Sequence, residues 1–241
     1  KNSDDIKGLD LIIKKKHKVI YRHKQGYNDY NCTRPVSEND LYYLYSCTKI
    51  ATVTACIQQV EAGKIKLDAA VSDYLPEFAH MKVADNFVLG DFGNMPDQAS
   101  PTHPAQTSIR IRDLLAMTAG LSYNTTAEPI LELKKKSGNK ASTREVVRAI
   151  AQMPLLYEPG TRHAYSLGHD VIAAVIEVVT GQRFSDYIIE HVFHPLGVHD
   201  VYFHLREEDK GRLADQYSCD FKTGKKFRHQ GNTFELTDCY D

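Results

Sequence analysis

The sequence predicts an α/β or α+β fold: an antiparallel sheet flanked by helices, with a helical region inserted between its parts. Three observations carry this. β-rich runs open the chain, the middle reads as a succession of helices, and an extended run begins again at Val201. On that order, residues 1–45 and 201–241 belong to the sheet-containing part, and residues 46–200 form a mostly helical part.

Residues 9–13 and 19–21 are β-rich and joined by a polar stretch, the pattern of an antiparallel hairpin. Gly26-Tyr27-Asn28-Asp29 marks a turn. From Ser46, the apolar positions Ile50, Val53, Ile57 and Val60 follow helical steps, and Gly63 stands as a stop. Residues 67–75, ending at Pro76, read as a short helical turn and loop. Residues 79–108 are rich in Gly, Pro, Asn, Asp and Ser and read as a long surface loop, a length often tied to lids or binding loops. Residues 110–117 resume a helix that Ala119-Gly120 ends. Residues 143–153 form another, with Ser142 or Thr143 as N-cap and Glu145 in its first turn. Pro159-Gly160 is a sharp turn. Residues 170–180 make a strongly apolar helix closed by Gly181, and residues 185–193 make the next, stopped by Pro195 and Gly197.

Composition narrows the function. The 241 residues are 42% hydrophobic and 25% charged, ordinary for a globular chain, with room for one large domain or a domain with an insertion. The net charge of −1 lacks the basic excess of a nucleic-acid binder. Lys14-Lys15-Lys16 and Lys134-Lys135-Lys136 read as solvated surface. No apolar run approaches the ~20 residues of a membrane span. The chain starts at Lys1 rather than methionine, which suggests removal of an upstream segment. Cys32, Cys47, Cys56, Cys219 and Cys239 are odd in number and lack Cys-x-x-Cys spacing, which leaves room for one bridged pair and argues against zinc. Cys47 reads as a packed small residue. His191 and His194 share a helix face but have no acidic third ligand, so no metal or cofactor is expected. His163 and His169 read as structural. Asn31-Cys32-Thr33 and Asn124-Thr125-Thr126 match glycosylation triplets that also arise by chance.

The chemistry concentrates at Ser46-Cys47-Thr48-Lys49. A serine hydroxyl is a weak nucleophile until a base takes its proton. Residues three apart on a helix share a face, so Lys49 can reach back to Ser46. Burial or nearby positive charge lowers a lysine's pKa and frees its lone pair, and a cation does the same for a tyrosine phenol. Tyr165-Ser166-Leu167 supplies such a tyrosine. A helix start also presents unpaired N–H groups and a positive dipole end to an anionic acyl-transfer intermediate.

These motifs stand in an ordered series: Leu44-Tyr45-Ser46-Cys47-Thr48-Lys49, Ile111-Arg112-Asp113-Leu114-Leu115, Glu158-Pro159-Gly160-Thr161, Tyr165-Ser166-Leu167-Gly168 and Pro195-Leu196-Gly197-Val198. The series resembles the serine hydrolases grouped with class C β-lactamases, D-alanyl-D-alanine carboxypeptidases and β-lactamase-like esterases. The resemblance implies Ser46 as acylated nucleophile, Lys49 as its proton partner and Tyr165 as base or relay. Tyr45 and Leu167 are the expected substrate contacts. It implies a small-molecule or peptide substrate and weakly favours a place outside the cytoplasm; oligomeric state is left open. Leu167 stands where the family usually has an asparagine, which leans toward an esterase or divergent peptidase over a β-lactamase. No third motif, His-x-Gly or Lys-Thr-Gly, is assigned beyond Tyr165, so the C-terminal part of the sheet is expected to lie outside this chain. The alternative is a non-catalytic penicillin-binding-like or scaffold relative that keeps the fold.

Overall fold

The computed structural model describes residues 7–90 and 94–228. They divide into two compact units: residues 46–201 form one, and residues up to 45 with those from 202 onward form the other.

The unit built from the two ends of the chain opens with β1 (Gly8–Lys15) and β2 (Lys18–Gly26), an antiparallel hairpin as expected. Lys16 and His17 both take positive φ, 48° and 63°, the geometry of the tight turns that match strand twist. Carboxylates fasten the segment after β2. Asp29, which is buried, accepts from Thr33 N, Thr33 Oγ1 and Arg34 N at 2.9, 2.8 and 2.7 Å. Tyr30 N and the Arg228 guanidinium both donate to Asp215, each at 2.7 Å. The helical unit contains α1 (Thr48–Glu61), β3 (Lys82–Ala84), β4 (Thr102–Pro104), α2 (Ile111–Leu115), α3 (Glu128–Ser137), α4 (Thr143–Ile150), α5 (Gly168–Thr180) and α6 (Phe184–Ile188). β5 (Tyr217–Cys219) and β6 (Lys226–Arg228) then pair antiparallel in the first unit.

α5 is the hub of the helical unit. α1, α2, α4 and α6 all pack on it, and Val171, Ile172, Ala174, Val175 and Ile176 are wholly buried. Gly181, at φ 70°, ends it in the left-handed conformation that glycine adopts without strain. Ser142 caps α4 through a capping box with Glu145, as expected. α1 packs on α5 and α6, and its buried residues are Ala51, Thr52, Ala55, Cys56 and Gln59.

Several expectations are corrected. The stripe Ile50–Val53–Ile57–Val60 is not the buried face of α1: Ile50 is 75% exposed and Ile57 37% exposed. Small side chains let the α1 and α5 backbones approach, so Ala51, Ala55 and Cys56 face inward. Residues 79–108 are not one surface loop. They hold the β3–β4 hairpin, with Val83 and Ala84 buried and Ala84 N donating to Leu155 O. Strands of three residues are too short to show a period. Residues 201–203 are irregular rather than extended, and the strand pair forms later, at β5–β6. α3 was unforeseen, although Pro129 in its first turn and Gly138 (φ 61°) just past its end are a helix's start and stop signals. The 185–193 helix widens to π geometry at Ile189.

Two triplets of the third-motif spelling do stand beyond Tyr165, although none was expected. Lys222-Thr223-Gly224 lies in the turn between β5 and β6, where Lys222 N and Thr223 N donate to Asp220. That is turn geometry rather than a strand edge. His229-Gln230-Gly231 and Cys239 lie outside the described residues. The four described cysteines, Cys32, Cys47, Cys56 and Cys219, are unbridged.

Candidate active site

Ser46 sits in a one-turn 3-10 helix, Tyr45–Cys47, immediately before α1. Cys47 N-caps α1 without a side-chain cap bond, so the first amides of the helix are left to other partners. Lys49 lies in the first turn of α1, behind Ser46.

Tyr165 reaches Ser46 by a different route. After α2 the chain turns at Met117 (φ 58°) and runs through Gly120 (φ 80°) to Tyr123. Residues 156–167 lie along this stretch: Leu156 N donates to Gly120 O, Gly160 N to Thr118 O, Ala164 N to Met117 O, and Leu167 N to Ser122 O, at 2.7, 2.8, 3.0 and 3.1 Å. A Cβ on Gly120 would stand 2.3 Å from Tyr157 O, so the close approach requires glycine. The pinned segment ends with Tyr165 directly before α5.

The structure brings the three expected residues together. Ser46 Oγ and Tyr165 Oη share a hydrogen bond at 2.5 Å. Lys49 Nζ lies 5.0 Å from the centre of the Tyr165 ring, so its charge acts directly on the phenol. Lys49 Nζ is thus set against the Tyr165 ring. Burial alone would push the Tyr165 phenol up, but hydrogen bonds from Ser46 and Lys49, with the Lys49 charge, hold it below the usual tyrosine range. A phenol lowered in this way can take the serine's proton and later return one.

The two expected substrate contacts part company. Leu167 is 2% exposed and fills the core, so its side chain is not open to a substrate. Tyr45 is exposed; its ring stacks on Tyr43 at 5.5 Å and its hydroxyl bonds to Gln216 within the same unit.

Two residues join the site that sequence reasoning passed over. Tyr123 packs on Tyr165 with ring centres 4.9 Å apart, and Lys49 Nζ lies 5.8 Å from its ring centre. The ammonium is therefore set against two aromatic faces. Burial raises the Tyr123 phenol, and Lys49 works against that rise. Asp170, in the first turn of α5, is pushed up to about 6 by burial, with Lys49 pulling the other way. No motif marks Tyr123, and Asp170 reads from sequence as an ordinary first-turn acid. His169 is buried with Nε2 3.3 Å from Leu115 O, and burial lowers its pKa, which fits a structural role. No group of three or more His, Cys, Asp or Glu able to hold a metal occurs among the described residues.

Comparison with known proteins places the chain among relatives. The chain is 31% identical over 209 residues to esterase EstB of Burkholderia gladioli, covering 84% of this chain and 48% of that protein. It is 31% identical over 185 residues to the lovastatin esterase of Penicillium rubens, covering 76% of this chain and 45% of that protein. Among solved structures, EstCE1, a hydrolase with promiscuous acyltransferase activity, superposes with a TM-score of 0.70 at 28% identity, covering 95% of this chain and 55% of that one. The chain spans about half the length of the curated relatives it matches. The Beta-lactamase family model matches residues 1–235, and with a Ser46–Tyr165–Lys49 cluster on a mixed helix–strand fold, this chain belongs to the β-lactamase-related serine hydrolases.

Proposed function

We propose that this chain carries the nucleophilic machinery of a serine hydrolase that works through an acyl-enzyme, with esters as the favoured substrates over amides and peptides. The observation that carries the reading is the 2.5 Å hydrogen bond between Ser46 Oγ and Tyr165 Oη, with Lys49 Nζ 5.0 Å from the centre of the same ring. The esterase names of two relatives support the substrate class.

In this reading Tyr165, as phenolate, takes the proton of Ser46 while Oγ attacks the substrate carbonyl carbon. The tetrahedral oxyanion collapses, the bond to the leaving oxygen breaks, and the Tyr165 phenol gives its proton to that oxygen. A water, or an alcohol acceptor, then attacks the acyl-Ser46 carbonyl and gives its proton to Tyr165. That proton passes to Ser46 Oγ as the acyl bond breaks, which restores the free serine and the phenolate. Lys49, set against the Tyr165 ring, stabilises the phenolate between proton transfers. A buried leucine at position 167 offers no amide to a substrate, which argues against efficient β-lactam hydrolysis.

The test is active-site labelling of the full-length protein. A fluorophosphonate should leave one adduct, on Ser46 by peptide mass spectrometry, and Ser46→Ala should abolish both the adduct and turnover of p-nitrophenyl esters. An unlabelled Ser46 with no ester turnover would favour the non-catalytic alternative, and turnover that survives Ser46→Ala would overturn Ser46 as the nucleophile.

A further inference from the structure

The segment that delivers Tyr165 has no regular secondary structure of its own between Tyr157 and α5, and it is held from outside. One side is pinned to Met117 and Thr118 through Ala164 N and Gly160 N. On the other, the Glu158 carboxylate accepts from Gln106 N at 3.0 and 3.2 Å and lies 3.4 Å from His103 Nε2. The opposite ring nitrogen, His103 Nδ1, lies 2.6 Å from Asp85 Oδ1. One imidazole in β4 therefore ties the residue after β3 to the segment that carries the phenol.

The chemistry of the ring gives this tie a state. Imidazolium donates from both nitrogens and satisfies both carboxylates with charge-assisted bonds. A neutral ring has one N–H, so one carboxylate must face a lone pair. We propose that His103 is a positioning residue: as imidazolium it rivets Asp85 to Glu158 and holds residues 157–165 in place, and on losing its proton it lets that segment loosen. The proposal rests on the reading of Tyr165 as the proton relay.

The tie weakens in one direction of pH. Asp85 and Glu158 are the charged groups that act on His103, and the hydrogen bond to Asp85, partly offset by burial and then joined by Glu158, raises its pKa above the usual histidine range. A raised folded pKa gives a contribution fully present below the unfolded value of about 6.5 and lost as pH rises through the folded value. The rivet is set below the unfolded value and released as pH rises through the raised folded one.

The experiment uses the full-length protein as wild type, His103→Gln and His103→Arg. Two quantities are read from pH 6 to pH 9: the rate of fluorophosphonate acylation of Ser46, and hydrogen exchange of residues 157–165 referenced to α5. Wild type should protect the segment more at pH 6 than at pH 9. His103→Gln should acylate roughly three- to tenfold more slowly than wild type at pH 6, the scale of a small misplacement of a reacting group, with the ratio approaching one at pH 9. His103→Arg, charged throughout, should keep the protection at pH 9. A His103→Gln protein whose rate ratio and segment protection match wild type at every pH, with only a lower Tm, overturns the proposal. A wild type with no Ser46 adduct overturns the acyl-transfer reading alone, because the exchange measurement still tests the rivet.

Discussion

At Tyr165, opposing effects meet on one oxygen. Burial pushes its phenol up, while Ser46 and Lys49 pull it down and prevail. The acylation rate should therefore rise with pH through a midpoint below about 10, the value of a free tyrosine. Lys49→Met removes the cation acting on the phenol, so the midpoint should move upward, read from the pH profile of fluorophosphonate labelling. Tyr165→Phe should slow acylation by about 10²–10⁴, the usual worth of a positioned acid–base group. Asp170 gives a prediction of opposite kind. Its folded pKa of about 6 exceeds the ~3.9 of an unfolded aspartate, so the unfolded chain releases its proton first as pH rises. Asp170 costs stability above about pH 6 and little below about pH 4. Asp170→Asn should raise Tm at pH 7 and leave it nearly unchanged at pH 4, by thermal unfolding at both. Ser46 and Lys49 were legible in the sequence because a three-residue spacing has a geometric meaning, and Tyr165 because its neighbours form a motif. Tyr123, Asp85 and His103 reach their partners only through tertiary folding and no local pattern marks them, whereas Glu158 opens a motif whose link to His103 the sequence does not reveal.

Among the elements, α1 is the instructive case. Its existence and its stop near Gly63 were readable from periodicity, yet its buried face was not. The branched residues Ile50 and Ile57 look outward, and the inward face is made of Ala51, Ala55 and Cys56. Periodicity finds the strongest apolar stripe, whereas close helix packing selects the smallest side chains. The polar contacts beside this seam are closed: Gln59 Nε2 donates to Tyr187 Oη at 2.5 Å, and Tyr187 Oη donates to Gln58 at 3.0 Å. Ala55→Leu, at a position with no exposure, should cost about 1–3 kcal/mol by overpacking. Ile50→Ala, on the open face, should stay within about 0.5 kcal/mol; urea unfolding of both variants checks the contrast. The β3–β4 hairpin and α3 are hidden in the sequence for different reasons. The strands are too short to show alternation, while α3 carries a proline start and a glycine stop that periodicity alone does not weigh.

For the molecule as a whole, the order of elements was legible: a hairpin first, helices in the middle, strands again near the end. The β1–β2 hairpin shows how much is left uncovered. Leu9, Leu11, Ile12, Ile13, Val19, Ile20 and Tyr21 are all exposed, so apolar side chains stand on both of its faces. A two-stranded ribbon with this surface is a template for further pairing. The 241-residue chain should self-associate with increasing concentration, and Ile12→Lys with Ile20→Lys should suppress this in light scattering without loss of helical circular dichroism. The thiols are spread unevenly over the same surface. Cys56 is fully buried and its thiol is pushed up to about 11, which makes it inert to alkylation at neutral pH, while Cys47 is exposed and adjoins Ser46 along the chain. A thiol reagent at neutral pH should therefore reach Cys47 and spare Cys56, which makes the residue after the nucleophile a place to attach a reporter without disturbing the α1 seam.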